Sequence, residues 1–381
     1  MSLYSSVLIR LGLALLFAFY HLSLSAGCFE DISQVLKKGR IARQSNLGPR
    51  LNSKDYYLWD NWSLVDRDGT IHVYALSASR EHTPAQRHFH AEWRHFASVD
   101  NGKNFADLGI ILKKNKRAGS FDDQAIWSGS IAQLSNGKYL AAYTGLSSRR
   151  QFLQSIGLSI SSDGHDFKPL KSRRAIIDHE SMRELFIEKG YYVDKLHRIG
   201  NPHGEENGSI QALRDPYIFE SDKGIEIFWA AKSYNQKGEV ISSIGHATIK
   251  DLNHPSKVIL NPPINPPDGH TYSQLELPNI VKQEDGSYLW FISTTNRMSE
   301  ADPETSIEMM SRVYRSKTID SPLELLPGRS SSELYRANDG YTYGLNIVRR
   351  HDNKLQGRVF QVEFDPKGRG LSLPPTFNLK F

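Results

Sequence analysis

The stretches SVDNGKNF (98–105) and SSDGHDF (161–167) write the same turn twice: serine, aspartate, glycine, then an aromatic residue. A hairpin whose aspartate caps its own backbone explains both, because Asp bonds main-chain groups nearby and Gly supplies a positive φ. Similar turn dipeptides punctuate the chain on either side, at Asp68-Gly69, Asn101-Gly102, Asn136-Gly137, Asp163-Gly164, Lys223-Gly224, Lys237-Gly238 and Asp285-Gly286. The runs they separate are short and rich in β-branched and aromatic residues: IHVYAL (71–76), KYLAAYTGL (138–146), IEIFWAA (225–231), YLWFIS (288–293) and RVFQVEF (358–364). Such runs read as strands. Helical periodicity is rare outside HESMRELFIEK (179–189), apart from room for one short helix in the lead-in over 29–50. Hairpins recurring at intervals of roughly 30 residues are the sequence pattern of propeller blades. The remaining chain of about 330 residues supplies five four-stranded blades. A pair of sandwiches would need a linker, and the sequence offers none. The expectation is an all-β, five-bladed β-propeller over residues 51–381, behind a polar lead-in over 28–50.

The chain has 381 residues, 47 basic and 42 acidic, and the net charge of +5 is small for this size. The charges are interspersed, and KKNKR (113–117) reads as solvated surface rather than the stripe a nucleic-acid binder gathers. At the N-terminus, Arg10 precedes the apolar run LGLALLFAFYHLSL (11–24) and the small residues Ser25-Ala26-Gly27. A basic start, an apolar run and a small-residue site predict an export signal over 1–27. Cys28, the only cysteine, follows directly, as in a bacterial lipoprotein processing site, although Ser25 stands where that pattern has Leu. The protein is therefore expected to be secreted or periplasmic, with a lipid anchor if Cys28 is modified. One cysteine forms no intrachain disulfide, so burial must hold the fold.

Four segments combine carboxylates with aromatic or polar residues in ways a plain strand does not need. In LWDNWSL (58–64), Asp60 stands between two tryptophans, whose flat faces suit a sugar ring. In IWSGS (126–130), Trp127 could add a wall and Ser128 could hydrogen-bond a carboxylate. In LRDPYIF (213–219), Arg214 and Asp215 precede a proline at a strand start, where the missing N–H is tolerated. In SQLELPNIV (273–281), Glu276 lies between Leu275 and Leu277. A carboxyl in apolar surroundings is expected to have a raised pKa, the property of a general acid.

In this order, WDxW, WSGS, RDP and QLE-x-P, the segments resemble the levansucrase and bacterial invertase family of sucrose-acting enzymes, over about Leu58 to Tyr343. The resemblance implies a five-bladed propeller with the site in its central funnel. It implies retaining β-fructofuranosyl transfer or hydrolysis on sucrose through a covalent fructosyl-enzyme. Asp60 would be the nucleophile, Glu276 the acid/base and Asp215 the transition-state stabiliser. Trp59, Trp127, Ser128, Arg214, Gln274, Arg297 and Tyr343 would shape the sucrose pocket. Retention needs two carboxyls about 5–5.5 Å apart, one ionised and one protonated. No cofactor, metal, nucleic-acid or protein partner is implied, since Ser273 replaces the Asp of calcium-binding members.

The chain departs from the family where Leu277 replaces the usual Arg after the acid/base. The loss of that cation is expected to raise the Glu276 pKa further. Tyr343-Gly344-Leu345 also replaces a Tyr-Ser-His pattern. Two other readings stay open on sequence alone: an arabinanase- or xylosidase-like propeller hydrolase, and a sugar-binding propeller without turnover.

Overall fold

A computed structural model describes residues 50–170, 174–201, 211–296, 309–326, 341–349, 355–362, 371–373 and 377–378. The export signal, Cys28, nearly all of the lead-in and Arg297 lie outside the described residues. Among the described residues the strands form five antiparallel sheets, four of four strands and one of five. Their innermost strands are Tyr56–Val65, Ala125–Gln133, Arg214–Ser221, Leu275–Lys282 and Tyr341–Arg349, one per blade in chain order. Each innermost strand lies against the next, and the fifth returns to the first, so the ring is closed. The five-bladed propeller expected from the hairpin repeat is the observed fold. Residues just before blade 1 fasten the ring. Leu51 pairs with Leu373, beyond the outer strand of blade 5, through two 2.9 Å backbone hydrogen bonds.

The strands written most plainly in the sequence are the second strands of the five blades. These are Ile71–Ser79, Tyr139–Ser147, Gly224–Tyr234, Tyr288–Thr295 and Leu355–Val362. A second strand sits inside its sheet and both its faces meet neighbouring blades, so it reads as a continuous apolar run instead of an alternating one. Tyr139–Ser147 is buried at every position. The core accordingly lies in layers between blades, around Trp59, Trp93, Trp229 and Trp290. An aromatic side chain burying 150–250 Å² contributes roughly 4–6 kcal/mol at about 25 cal/mol/Å². The packing is tight enough to demand Gly245, where a Cβ would stand 2.0 Å from the Trp229 ring.

Both echoing turns join the third and fourth strands of their blades, 1 and 2. Asp100 accepts from the Ser98 hydroxyl (2.7 Å) and the Asn104 N–H (2.9 Å). Asp163 accepts from the Ser161 hydroxyl (2.6 Å) and the N–H groups of His165 and Asp166. The helical periodicity at 179–189 corresponds to one short helix, Arg183–Glu188, between blades 2 and 3.

Candidate active site

Every innermost strand breaks register against its second strand. Asp60 is skipped in the pairing of blade 1, Ser128 in blade 2, Asp215-Pro216 in blade 3, Leu277-Pro278 in blade 4 and Gly344-Leu345 in blade 5. A β-bulge bends the strand and re-aims a side chain. Five such bulges, one per blade, bring Asp60, Ser128, Arg214, Asp215, Glu276 and Tyr343 into one contacting group. In blades 3, 4 and 5 the first skipped residue has a positive φ: Asp215 (59°), Leu277 (49°) and Gly344 (66°). Only glycine adopts that conformation freely, so the Asp and Leu each cost of order 1–2 kcal/mol. Pro216 and Pro278 occupy the second bulge position, where the ladder requires no N–H. Gly129 of WSGS also has a steric reason, because a Cβ there would lie 2.0 Å from the Ala142 carbonyl oxygen.

Residues just past the bulges set the spacing of the ring. The Asn346 side chain accepts the Ser63 N–H (3.0 Å), Asn279 accepts the Ile347 N–H (2.9 Å), and the Ser130 hydroxyl accepts the Ile218 N–H (2.8 Å). Each contact joins one blade to the next, so the heights of the bulged residues are coupled.

Within the ring, Ser128 Oγ lies 2.7 Å from Asp60 Oδ2 and 2.8 Å from Asp215 Oδ1. One hydroxyl thus holds carboxyls from blades 1 and 3 within two hydrogen-bond lengths of each other. It carries one hydrogen, so two carboxylates cannot both accept from it, and the arrangement calls for a proton on one partner. Burial raises the Asp215 pKa most, and the nearby Glu276 and Asp60 charges raise it further, against the pull of Arg214. Burial and Glu276 also raise Asp60, opposed by the Ser128 hydrogen bond and by Arg87. The proton therefore belongs on Asp215, which donates to Ser128, while Ser128 donates to an ionised Asp60.

Glu276 differs from the sequence expectation. Its Oε1 accepts from Arg214 Nε (2.8 Å) and Nη2 (2.7 Å), and its Oε2 accepts from the Tyr343 hydroxyl (2.5 Å). The apolar neighbours Leu275 and Leu277 do not enclose the carboxyl, because the bulge turns it toward the axis. A cation does lie against the carboxyl, but it is Arg214 of the RDP segment in blade 3. Charge-assisted bonds of this kind are about twice as strong as neutral ones. Tyr343, entered in the sequence as a pocket residue, is in contact with this carboxyl, and burial beside Glu276 holds its phenol well above the usual range.

The remaining predicted residues are distributed around this centre. Trp59 is buried (2 %), edge-on to His88 at 6.0 Å and beneath the Arg87 guanidinium at 5.5 Å. Trp62 packs on Trp93 in the core, so the second flanking indole offers no open face. Trp127 is partly exposed, and its Nε1 donates to the His88 carbonyl at 2.6 Å. Gln274 is buried beside the start of the blade 4 strand, with no hydrogen-bond partner for Oε1. Among the described residues no three His, Cys, Asp or Glu side chains are grouped as metal ligands.

Sequence reasoning missed Arg87 and His88, on the connection between the second and third strands of blade 1, and Thr144 and Gln154 of blade 2. Burial and Arg87 push His88 down to about 3, so it is neutral at the site. Gln154 Oε1 accepts the Leu213 N–H (3.0 Å) and Arg214 Nη1 (3.3 Å), holding the RDP segment from behind. Nothing in the local sequence marks the first two. Thr144 is visible in retrospect as the one aliphatic hydroxyl inside the run KYLAAYTGL.

A closed propeller whose innermost strands turn three carboxyls, one serine and one arginine onto the axis defines a class: propeller proteins with a carboxylate centre. Residues 51–243 match glycosyl hydrolases family 32, N-terminal domain, and the chain belongs to that family. It is 26% identical over 206 residues to a levansucrase of Bacillus amyloliquefaciens and 23% identical over 198 residues to that of Bacillus subtilis strain 168. These matches take in 48% and 46% of this chain but only 42% and 40% of the two proteins. The fold is similar to that of the inulosucrase from Halalkalicoccus jeotgali bound to kestose (TM-score 0.60, 18% identity, covering 89% of this chain and 90% of that one). It is also similar to Bacillus subtilis levansucrase (0.61, 16%, 88% and 86%). Sucrose-6-phosphate hydrolase from Lactobacillus gasseri is a third likeness (0.60, 15%, 92% and 64%).

Proposed function

We propose that this protein transfers or hydrolyses β-fructosyl groups of sucrose or a related fructoside with retention, through a fructosyl-enzyme on Asp60. The observation that carries the reading is the Ser128 bridge. It leaves Asp60 ionised beside a protonated Asp215, a nucleophile next to a neutral donor. Asp60 attacks the anomeric carbon of the fructosyl unit, and the bond to glucose breaks as its oxygen takes a proton. Glu276 takes up a proton from solvent before this step, delivers it to the glucose oxygen, and later withdraws one from the acceptor. Arg214 and Tyr343 hold the Glu276 carboxyl in place. Asp215 hydrogen-bonds the fructosyl hydroxyls and stabilises the transition state by strengthening those bonds as it forms. Water as acceptor gives hydrolysis; a sugar gives transfer. The matched proteins act as levansucrases, an inulosucrase and a sucrose-6-phosphate hydrolase by name, which supports a fructoside substrate. Trp127, Arg214, Gln274, Arg297 and Tyr343 would line the pocket.

The N-terminal pattern supports export, with anchoring if Cys28 is lipidated; cell fractionation and the mass of the mature N-terminus test this. The activity is tested by incubating the mature protein with sucrose and measuring glucose and fructose beside Asp60→Ala. Glucose above the background of the variant is expected. Glucose in excess of free fructose reports transfer, and equal amounts report hydrolysis. No difference between the two proteins refutes the reading.

A further inference from the structure

The mechanism above leaves one buried polar group at the site without a role. Thr144 lies in the second strand of blade 2 and is 0 % exposed, inside a strand buried along its whole length. Its hydroxyl donates to the Ser128 carbonyl oxygen at 2.9 Å and accepts the Asp215 N–H at 2.9 Å. A hydroxyl has one hydrogen and two lone pairs, so both bonds form at once. Ser128 and Asp215 are both bulge residues, skipped in the pairing of their own blades. The Asp215 N–H consequently has no place in the ladder of blade 3, and Asp215 carries the positive φ of 59°. A residue in that conformation persists only where its surroundings over-determine it. Here one oxygen atom ties together the two main-chain segments that carry the Asp60–Ser128–Asp215 bridge.

We propose that Thr144 is a positioning residue that fixes the relative placement of Ser128 and Asp215, and through Ser128 that of Asp60. Valine matches threonine in shape and lacks both bonds, while serine keeps them. The activity arm rests on the fructosyl reading; a second arm does not.

Thr144→Val, Thr144→Ser and wild type are compared for sucrose turnover across pH and for amide hydrogen exchange at Asp215. Misplacement of catalytic groups on the 1 Å scale costs about 100-fold, so kcat of Thr144→Val is expected to fall by about that factor. The limb of its pH profile set by Asp60 and Asp215 should move, and Thr144→Ser should recover most of the loss. The Asp215 amide should exchange at least about tenfold faster in Thr144→Val, as a group released from a buried hydrogen bond does. Active wild type with an equally active Thr144→Val and an unmoved pH limb overturns the proposal and leaves the fructosyl reading intact. If wild type turns over no sucrose, the fructosyl reading fails, and the exchange rate alone decides: unchanged protection at Asp215 overturns the positioning role. Should Thr144→Val not fold, Thr144→Ala is measured in the same two ways.

Discussion

Replacing Asp215 with Asn should make the protein more stable and less active at once, with the stability gain growing as pH rises. Asp215 is 5 % exposed and faces Glu276 and Asp60, so its folded pKa lies above its unfolded value near 4. Between those two values the folded state binds more protons than the unfolded state, so stability falls as pH climbs through the window. Each pH unit crossed costs up to about 1.4 kcal/mol for a single group. Even against Arg214 and the Ser128 hydrogen bond the carboxyl is pushed up to about 8, so the loss by pH 7.5 is on the order of 5 kcal/mol. Asn keeps the shape and can donate to Ser128, so the bridge to Asp60 survives while the charge is gone. The gain should be near zero at pH 4 and on the order of 5 kcal/mol at pH 7.5, or about 7 °C in Tm for a domain of this size. Thermal unfolding of both proteins between pH 4 and 8 measures it. Parallel pH dependences, or a less stable variant at pH 7.5, refute the proton assignment at the Ser128 bridge. A functional residue that costs stability is the usual trade at such sites.

Three further outcomes follow from the same geometry. Tyr343→Phe removes one donor to Glu276, a charge-assisted bond worth about 1.5–3 kcal/mol, and steady-state kinetics should show turnover reduced roughly 10–100-fold. Gly129→Ala forces a Cβ against the Ala142 carbonyl; thermal unfolding should show a loss of about 3 kcal/mol or more, with activity lost as well. Glu226, fully buried in blade 3, accepts from His246 (2.8 Å), Thr248 (2.7 Å) and Ser221 (3.0 Å), and these bonds hold its pKa below the usual value despite burial. Its contribution is present above the unfolded carboxyl range and is lost as pH falls through the folded value. Glu226→Gln should therefore cost about 2–3 kcal/mol at pH 7 and progressively less toward acid, measured by denaturant unfolding.

The fold was legible because a propeller repeats its turns and buries its second strands completely. SVDNGKNF and SSDGHDF mark the same corner of two blades, and the five apolar runs are the five second strands. The innermost strands were harder to read, since bulges at Asp60, Ser128, Asp215, Leu277 and Gly344 cancel the alternation that identifies a strand. Those bulges also explain the misreading of Glu276. Its neighbours in sequence are apolar, but its neighbours in space are Arg214 and Tyr343, from blades 3 and 5. A carboxyl with apolar neighbours along its strand takes its polar partners from other blades, and the order of residues along one strand does not reveal them. Thr144 escaped notice for the opposite reason, because it sits in an apolar run where a hydroxyl looks like filler.

The central claim is that Asp60 forms the covalent fructosyl-enzyme and Glu276 releases it. With Glu276→Gln and an aryl β-fructofuranoside, whose leaving group departs without a proton, the first step proceeds and the second stalls. Mass spectrometry of the digested protein should then find one hexosyl unit on the peptide containing Asp60. Rapid release of the aryl group with no modified peptide, or a hexosyl unit on any other residue, contradicts the account.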